Sequence, residues 1–313
     1  MNGSWSNDTR SAARRYPFLA RFIKRETSLA RRAAAHPLTL FLYEFIRFGI
    51  KQGWACLFGG LLLALLVATH LFYPKDAWLT RYDFLVLAAL AIQIAMLKFG
   101  LETWEEAKVI LIFHIVGTLM EIFKTSQGSW IYPEASILRI YGVPLFSGFM
   151  YAAVGSYIAR VWRLFDFQFT WHPRMWAVCL LAIAVYINFF THHYTIDIRL
   201  LLFAAALVLF GPATVHYRIW RQHRSMPLLL GLVLVALFIW FAENLGTFTR
   251  AWAYPNQKDG WAMVSIAKLG SWFLLMLISY TLVALVHGIE SYKTASASTL
   301  WRVPIPARFF SRD

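Results

Sequence analysis

The chain has 313 residues, of which 59% are hydrophobic and 15% are charged, and its formal net charge is +14. Soluble domains carry about 25% charged residues, so a soluble protein of this size could not bury so much apolar surface. Nucleic-acid binding is not expected either, because most lysines and arginines lie in short gaps between apolar runs. The composition therefore predicts an all-α integral membrane protein with membrane lipid as its partner.

Residues 1–52 form a basic N-terminal segment that ends in an amphipathic pattern. Within 38–51, Glu44, Arg47 and Lys51 recur at intervals of three and four residues on one face, while Leu, Phe and Ile fill the other face. This pattern is typical of a helix lying in the membrane interface. A cytoplasmic extension of the first membrane span is the alternative interpretation.

The region 53–287 contains a series of long apolar runs. A membrane-spanning helix needs about 20 mostly apolar residues. Eight runs meet or approach this length, and they predict a polytopic helical bundle with spans at 53–72, 83–99, 105–124, 143–162, 174–191, 200–217, 226–246 and 263–287. The remaining residues, 288–313, are predicted to form a cytoplasmic tail.

The distribution of basic residues predicts the orientation of the bundle. Lysine and arginine are richest in four segments: the N-terminal segment, the gaps after the fourth and sixth spans, and the tail. With eight spans all four lie on one side, which the positive-inside rule makes the cytoplasmic side. We therefore expect a multi-pass protein of the bacterial inner membrane with both termini in the cytoplasm.

Two segments of the chain match each other at an offset of 122 residues. Glu121, Trp130 and Tyr132 recur as Glu243, Trp252 and Tyr254, and each tyrosine is followed by proline. The same offset relates Thr69-His70 to Thr191-His192, and Gly148 to Gly270. Because the offset covers four spans, we predict a parallel 4+4 repeat made of residues 53–172 and 173–287.

The repeated glutamates are the leading candidates for catalysis. Charged groups inside a bilayer cost about 2.5–3.5 kcal/mol, so they seldom lack a role. Glu121 and Glu243 end the third and seventh spans, at the predicted periplasmic side. His114 lies two helical turns before Glu121 on the same face, and His192 closes the fifth span. We interpret the glutamates as acid/base groups, and we expect His114 and His192 either to orient them or to bind a metal. The alternative is that each of these glutamates only caps a helix.

Other polar and aromatic residues suggest ligand contacts. The cluster of His192, His193 and Asp197 has side chains suited to a divalent metal, although adjacent histidines at a span end are more often interfacial. The candidate substrate-binding residues are Trp130, Tyr132, Trp252, Tyr254 and Asn188. The alternative for the aromatic residues is an interfacial belt followed by a turn.

The sequence resembles the YoaT-like family of bacterial integral membrane proteins, whose function is unknown. The resemblance covers most of the chain and rests on the segments 51–60 (KQGWACLFGG), 113–134 (FHIVGTLMEIFKTSQGSWIYPE), 142–150 (GVPLFSGFM) and 188–193 (NFFTHH).

The first repeat also has a more local resemblance to membrane proteins that modify isoprenoids. It is similar to membrane carotenoid hydratases and heterodimer-type lycopene cyclases at Glu121, Gly128, Trp130, Tyr132 and 142–144 (GVP). That likeness implies acid-assisted chemistry on isoprenoid double bonds. The second repeat keeps Glu243 but lacks the GVP segment, and the paired acidic motif of the cyclases is not evident.

These observations lead to a functional hypothesis with open alternatives. We expect a membrane-embedded enzyme that acts on a lipid or isoprenoid through buried carboxylates. The alternatives are a proton-coupled transporter or permease for a small solute, and a non-catalytic membrane protein.

Overall fold

The computed structural model describes residues 36–292, which are mostly helical. The first 35 residues of the basic N-terminal segment and the tail beyond residue 292 lie outside this part of the chain. The nine described α-helices are α1 Pro37–Ala55, α2 Leu57–Phe72, α3 Arg81–Lys98, α4 Trp104–Ser126, α5 Phe146–Phe165, α6 Met175–Thr191, α7 Arg199–Phe210, α8 Leu228–Phe248 and α9 Ala267–His287.

Three helices, α4, α8 and α9, are long and apolar enough to cross a membrane. The helices α1 and α2 pass the same criterion together, which makes four spans if this bent pair counts as one. The helices α6 and α7 are apolar but shorter. Within residues 36–292, length and composition thus support a helical membrane protein with three or four spans, fewer than the eight predicted from the sequence.

The sixth predicted span, 200–217, is wrong at its C-terminal end. Helix α7 stops at Phe210, and Gly211 and Pro212 follow it directly. Proline cannot continue a helix because it lacks an amide hydrogen and its ring clashes with the preceding turn. The chain then forms a strand, so the apolar pattern that predicted one long helix covers two different elements.

Short strands, which the all-α prediction did not include, complete the fold. The first pair is antiparallel, β1 Arg139–Ile140 with β2 Val143–Pro144. The second sheet is antiparallel in the order β3-β4-β5, with bounds Gln168–Thr170, Thr214–Arg218 and His223–Pro227. Its register pairs Phe169 with Val215 and His216 with Ser225. The sheet connects the ends of α5, α7 and α8.

The predicted amphipathic helix is present as α1. Its polar Glu44 is buried and accepts a hydrogen bond from Arg224 at 2.6 Å, while Phe41, Phe45 and Ile46 are exposed. At Cys56 the helix axis turns by 67° into α2. The alternative, a cytoplasmic extension of the first span, stays open, because α1 and α2 together still meet the criterion for one bent span.

Helices α4 and α5 pack closely because small residues line their contact. A Cβ atom added at Gly117 would lie 2.6 Å from the Cβ of Tyr151, and one added at Gly155 would lie 2.6 Å from the ring of Phe113. Small residues allow helix backbones to approach in this way. The contact brings Tyr151 of α5 beside the C-terminal half of α4, where Glu121 lies.

The opposite end of α4 carries a buried ion-pair cluster. Arg160 is fully buried and its Nη2 lies 3.0 Å from Glu102 Oε1. Glu106 is also buried, and its Oε1 lies 3.0 Å from Nε of Arg163. Buried charges of this kind need close partners because desolvation is costly. The cluster thus fastens α5 to the start of α4.

Candidate functional site

A cavity of about 540 Å³ lies between α2, α4, α5, α6, α8 and α9. Its walls are largely apolar and include Leu63, Met150, Val185, Val235 and Leu275. Polar and aromatic side chains collect where α4 and α8 end. They form the carboxylate cluster: Glu121, Trp130, Tyr132, Tyr151, Glu243, Tyr254 and Trp272.

Glu121 is buried at 5% exposure and accepts three hydrogen bonds. Its Oε2 accepts from Trp130 Nε1 at 2.7 Å and from the Tyr132 hydroxyl at 2.5 Å. Its Oε1 accepts from the Tyr151 hydroxyl at 2.7 Å. Three donors from the loop and from α5 therefore fix both oxygens of one buried carboxyl group.

Glu243 has a similar environment at the end of α8. It is 4% exposed, and its Oε1 accepts a hydrogen bond from the Tyr254 hydroxyl. Its Oε2 accepts from Trp272 Nε1 of α9 at 2.5 Å. In both places the tyrosine lies eleven residues after the glutamate it binds.

The two loops that carry these tyrosines contact each other directly. Ile131 and Ala253, the central residues of the two Trp-x-Tyr segments, form an antiparallel bridge with two N–H···O bonds of 2.9 Å. The ring of Trp130 also meets the ring of Tyr254 edge to face at 6.1 Å. The bridge holds the Glu121 and Glu243 loops together over one cavity.

The tyrosine hydroxyls are donors over a wide range of pH. Burial raises the pKa of Tyr132 well above its ordinary value, and the neighbouring charge of Glu121 adds to this effect. Burial and the charge of Glu243 raise the pKa of Tyr254 in the same way. Both loops therefore present neutral hydroxyl groups to the carboxylates near pH 7.

Basic residues line the same cavity beside the carboxylate cluster. We call them the cationic rim: Lys124, His192, His193, Arg199 and Lys268. The ammonium group of Lys268 lies over the rings of Tyr254 and Trp130, at 4.4 and 5.5 Å from their centroids. The rim thus shares aromatic side chains with the carboxylate cluster.

Of the three predicted metal ligands, the two histidines lie side by side, whereas Asp197 is paired with another residue. His192 and His193 direct their Nε2 atoms at Lys124 Nζ, at 3.3 and 2.8 Å, and Asp197 is paired with Arg199 at 2.5 Å. Burial, followed by the charge of Lys124, lowers the pKa of His193, so its neutral ring can accept from the ammonium group. Among residues 36–292, no group of three or more His, Cys, Asp or Glu side chains is arranged for a metal ion.

His114 contacts α5, and its predicted role in orienting the glutamates stays a prediction. Its ring packs on Phe149 at 4.5 Å, and Gly148 lies against its Nδ1. His192 does line the cavity, but its contact is Lys124 and not a glutamate.

The predicted substrate-binding residues all line the cavity. Trp130, Tyr132 and Tyr254 bind the glutamates, as described above. Trp252 and Asn188 also face the cavity. Asn188 joins two elements, since its Nδ2 donates to Asp197 at 3.3 Å and its Oδ1 accepts from the amide of Ile198 at 3.2 Å.

Sequence reasoning missed Tyr151, Trp272, Lys124 and Lys268. None belongs to the repeated Trp-x-Tyr segments, and each lies on one of the helices α4, α5 and α9. For the two lysines a signal was present, because a charge within an apolar run is itself unusual.

The sequence matches the family described as "Protein of unknown function (DUF817)" over residues 44–280. The chain belongs to this family. The "Uncharacterized protein YoaT" of Bacillus subtilis (strain 168) is 41% identical over 254 residues, which cover 81% of this chain and 96% of that protein. The resemblance to the YoaT-like family is thereby confirmed. No solved structure matches significantly.

Proposed function

We propose that this DUF817 protein is a membrane-embedded enzyme that acts on a lipid or isoprenoid, with Glu121 and Glu243 as its acid/base groups. One observation carries the proposal. Two buried carboxyl groups from distant parts of the chain line one cavity whose remaining walls are largely apolar. Its volume of about 540 Å³ is within the range of about 300–1,000 Å³ that ligand pockets occupy.

The cavity suits an amphipathic substrate. An isoprenoid chain would lie along the apolar wall formed by residues such as Leu63, Val185 and Val235, away from water. The reacting end would then lie at the carboxylate cluster. Membrane lipid is accordingly the partner in this proposal.

The hydrogen bonds around Glu121 allow proton exchange at one oxygen. Trp130 Nε1 can only donate, so Oε2 is a fixed acceptor. The Tyr151 hydroxyl at Oε1 can donate or accept, so this oxygen can hold a proton or release it without losing its partner. General acid/base catalysis needs a group that alternates in this way.

We further propose that the protein arose by duplication into two parallel halves of four spans. The ends of α4 and α8 support this beyond the sequence match, because their hydrogen bonds repeat at the same offset of 122 residues. Ser129 N donates to Lys124 O at 3.0 Å, and Ala251 N donates to Gly246 O at 3.0 Å. Gly128 and Arg250, also 122 apart, both have left-handed backbone, with φ of 69° and 54°.

The proposed topology remains eight spans in the bacterial inner membrane with cytoplasmic termini. In this arrangement α3, α5, α6 and α7 cross as shorter or more polar helices, in addition to α4, α8, α9 and the α1–α2 pair. The carboxylate cluster then lies at the periplasmic side and the Arg160 cluster at the cytoplasmic side.

The test compares membrane lipids by mass spectrometry in a deletion strain carrying Glu121→Gln, Glu243→Gln or wild-type protein. Both variants are expected to leave the lipid profile of the deletion unrestored, because glutamine cannot exchange a proton. The matched control is Glu105→Gln, which changes an exposed glutamate paired with Lys108. Full restoration by both cavity variants would overturn the catalytic role.

A second candidate function, proton-coupled transport of a small solute, is favoured by the break between α1 and α2. The break at Cys56 has a 67° bend and lines the cavity. Transporter sites often use interrupted helices of this kind. Proton-linked solute uptake into proteoliposomes that is abolished by Glu121→Gln would favour this function over catalysis.

A further inference from the structure

Lys124 is a buried cation whose nearest polar partners are two histidine rings. Its side chain lines the cavity at 5% exposure, and its Nζ lies 2.8 Å from His193 Nε2 and 3.3 Å from His192 Nε2. Among residues 36–292, no carboxylate oxygen lies within 4.0 Å of this ammonium group. A buried charge without a counter-ion is costly.

Lys268 presents a second ammonium group to the same cavity. It lies over the faces of Tyr254 and Trp130. No carboxylate of the described chain is within ion-pair distance of it. The positive charges of Lys124 and Lys268 repel each other and Arg199 adds to the repulsion, while Glu243 and Glu121 attract Lys268 from a longer distance. An anion held between the two lysines would relieve that repulsion.

We infer that the cationic rim binds the phosphate group of an isoprenoid phosphate whose chain occupies the apolar part of the cavity. The inference rests on the proposed function and names its substrate class. Lys124 and Lys268 would donate to the phosphate oxygens as ammonium groups. Two or more fixed cations around one site suit a phosphate, which carries more than one charge near pH 7 and has three terminal oxygens.

The position of the cationic rim would place the phosphate near the two carboxylates. Lys268 lies over Tyr254, which donates to Glu243, and over Trp130, which donates to Glu121. A phosphate bound to Lys268 would therefore be separated from Glu243 by the Tyr254 side chain and from Glu121 by the Trp130 side chain. This arrangement would orient the first carbon atoms of the isoprenoid chain toward the carboxylate cluster.

Binding to the purified full-length protein in detergent tests the inference. The probes are farnesyl phosphate, uncharged farnesol and inorganic phosphate, each titrated by native mass spectrometry. We expect farnesyl phosphate to bind more tightly than farnesol, and Lys124→Gln and Lys268→Gln each to weaken it about tenfold or more, since hydrogen bonds to charged groups are the stronger class. Lys124→Arg should retain most of the affinity.

The matched control is Lys108→Gln, which removes an exposed lysine paired with Glu105. Equal affinity for farnesyl phosphate and farnesol, unchanged by the cavity lysines, would overturn the phosphate site while leaving lipid binding intact. Absence of binding by both lipids would overturn the proposed function as well. Tight binding of inorganic phosphate that depends on the same lysines would support the anion site but make free phosphate its source.

Discussion

At the scale of single residues, the site depends on donors that hold each carboxylate in place. Glu121 accepts from three side chains, and Tyr132 provides the shortest of these bonds at 2.5 Å. Replacing Tyr132 with Phe keeps the ring and removes only the hydroxyl. The carboxyl group would then be buried with one partner fewer.

We expect Tyr132→Phe to lower the free energy of unfolding by about 1.5–3 kcal/mol, because a hydrogen bond to a charged group is lost. Lipid restoration in the deletion strain should fall in parallel. Thermal unfolding in detergent, with Tyr141→Phe as the control for an exposed tyrosine, checks the change. Equal stability of the two variants would show that the hydroxyl does not hold Glu121.

The sequence predicted part of this site, and the limit has a physical reason. Glu121 with Trp130 and Tyr132 could be found because these residues lie close together along the chain and recur as a second copy. Tyr151 and Trp272 could not, because their contacts with the glutamates come from packing between helices that are distant in sequence. The contact of His114 with Phe149 could not be predicted either, because helical spacing gives a face but not the neighbour that covers it.

At the scale of elements, the two helix ends that precede the loops are built alike but with different residues. Both place one residue in left-handed backbone, Gly128 after α4 and Arg250 after α8. Glycine adopts this conformation without a steric cost, whereas other residues are strained by about 1–2 kcal/mol. The two positions therefore form a natural pair for reciprocal substitution.

Gly128→Ala should destabilise the protein by about 1 kcal/mol, while Arg250→Gly should stabilise it by a similar amount. There is open space around Gly128, so the backbone strain alone sets the first effect. Thermal unfolding of the single variants and the wild type in detergent measures both. The same sign of change in both variants would contradict the shared backbone geometry.

Other elements differ from their sequence predictions for identifiable reasons. The apolar runs located the helices well, since seven of the eight predicted spans coincide with a helix to within a few residues. The exception is the sixth predicted span, 200–217, which extends beyond the end of α7. Its prediction failed because Val215 and Tyr217 continue the apolar pattern beyond Pro212 as part of a strand. Periodicity does not separate such a strand from a helix when the run is continuous.

At the scale of the whole molecule, the proposed topology predicts which loops face outward. Trp78 and Ile137 are 93% and 84% exposed and lie on the proposed periplasmic side. Trp171 and Gln222 lie in connections on the proposed cytoplasmic side. After Cys56 and Cys179 are replaced with Ala, one new cysteine can be placed at each of these four positions.

We expect cysteines at 78 and 137 to react with a membrane-impermeant thiol reagent in cells whose outer membrane alone has been permeabilised. Those at 171 and 222 should react only after the inner membrane is opened. The pattern follows from helices that alternate in direction across the membrane. Reaction of all four cysteines from one side would contradict the eight-span topology.

The central claim is that one lipid-binding cavity is shared by the two halves of the chain. Photo-labelling with a diazirine-bearing farnesol, followed by peptide mapping, tests it most directly. We expect labels on cavity residues of both halves, within 121–157 and 235–275. Unlabelled farnesol should compete with this labelling and reduce it. Labels confined to exposed faces such as Leu90 and Ile94 of α3, unaffected by competition, would contradict it.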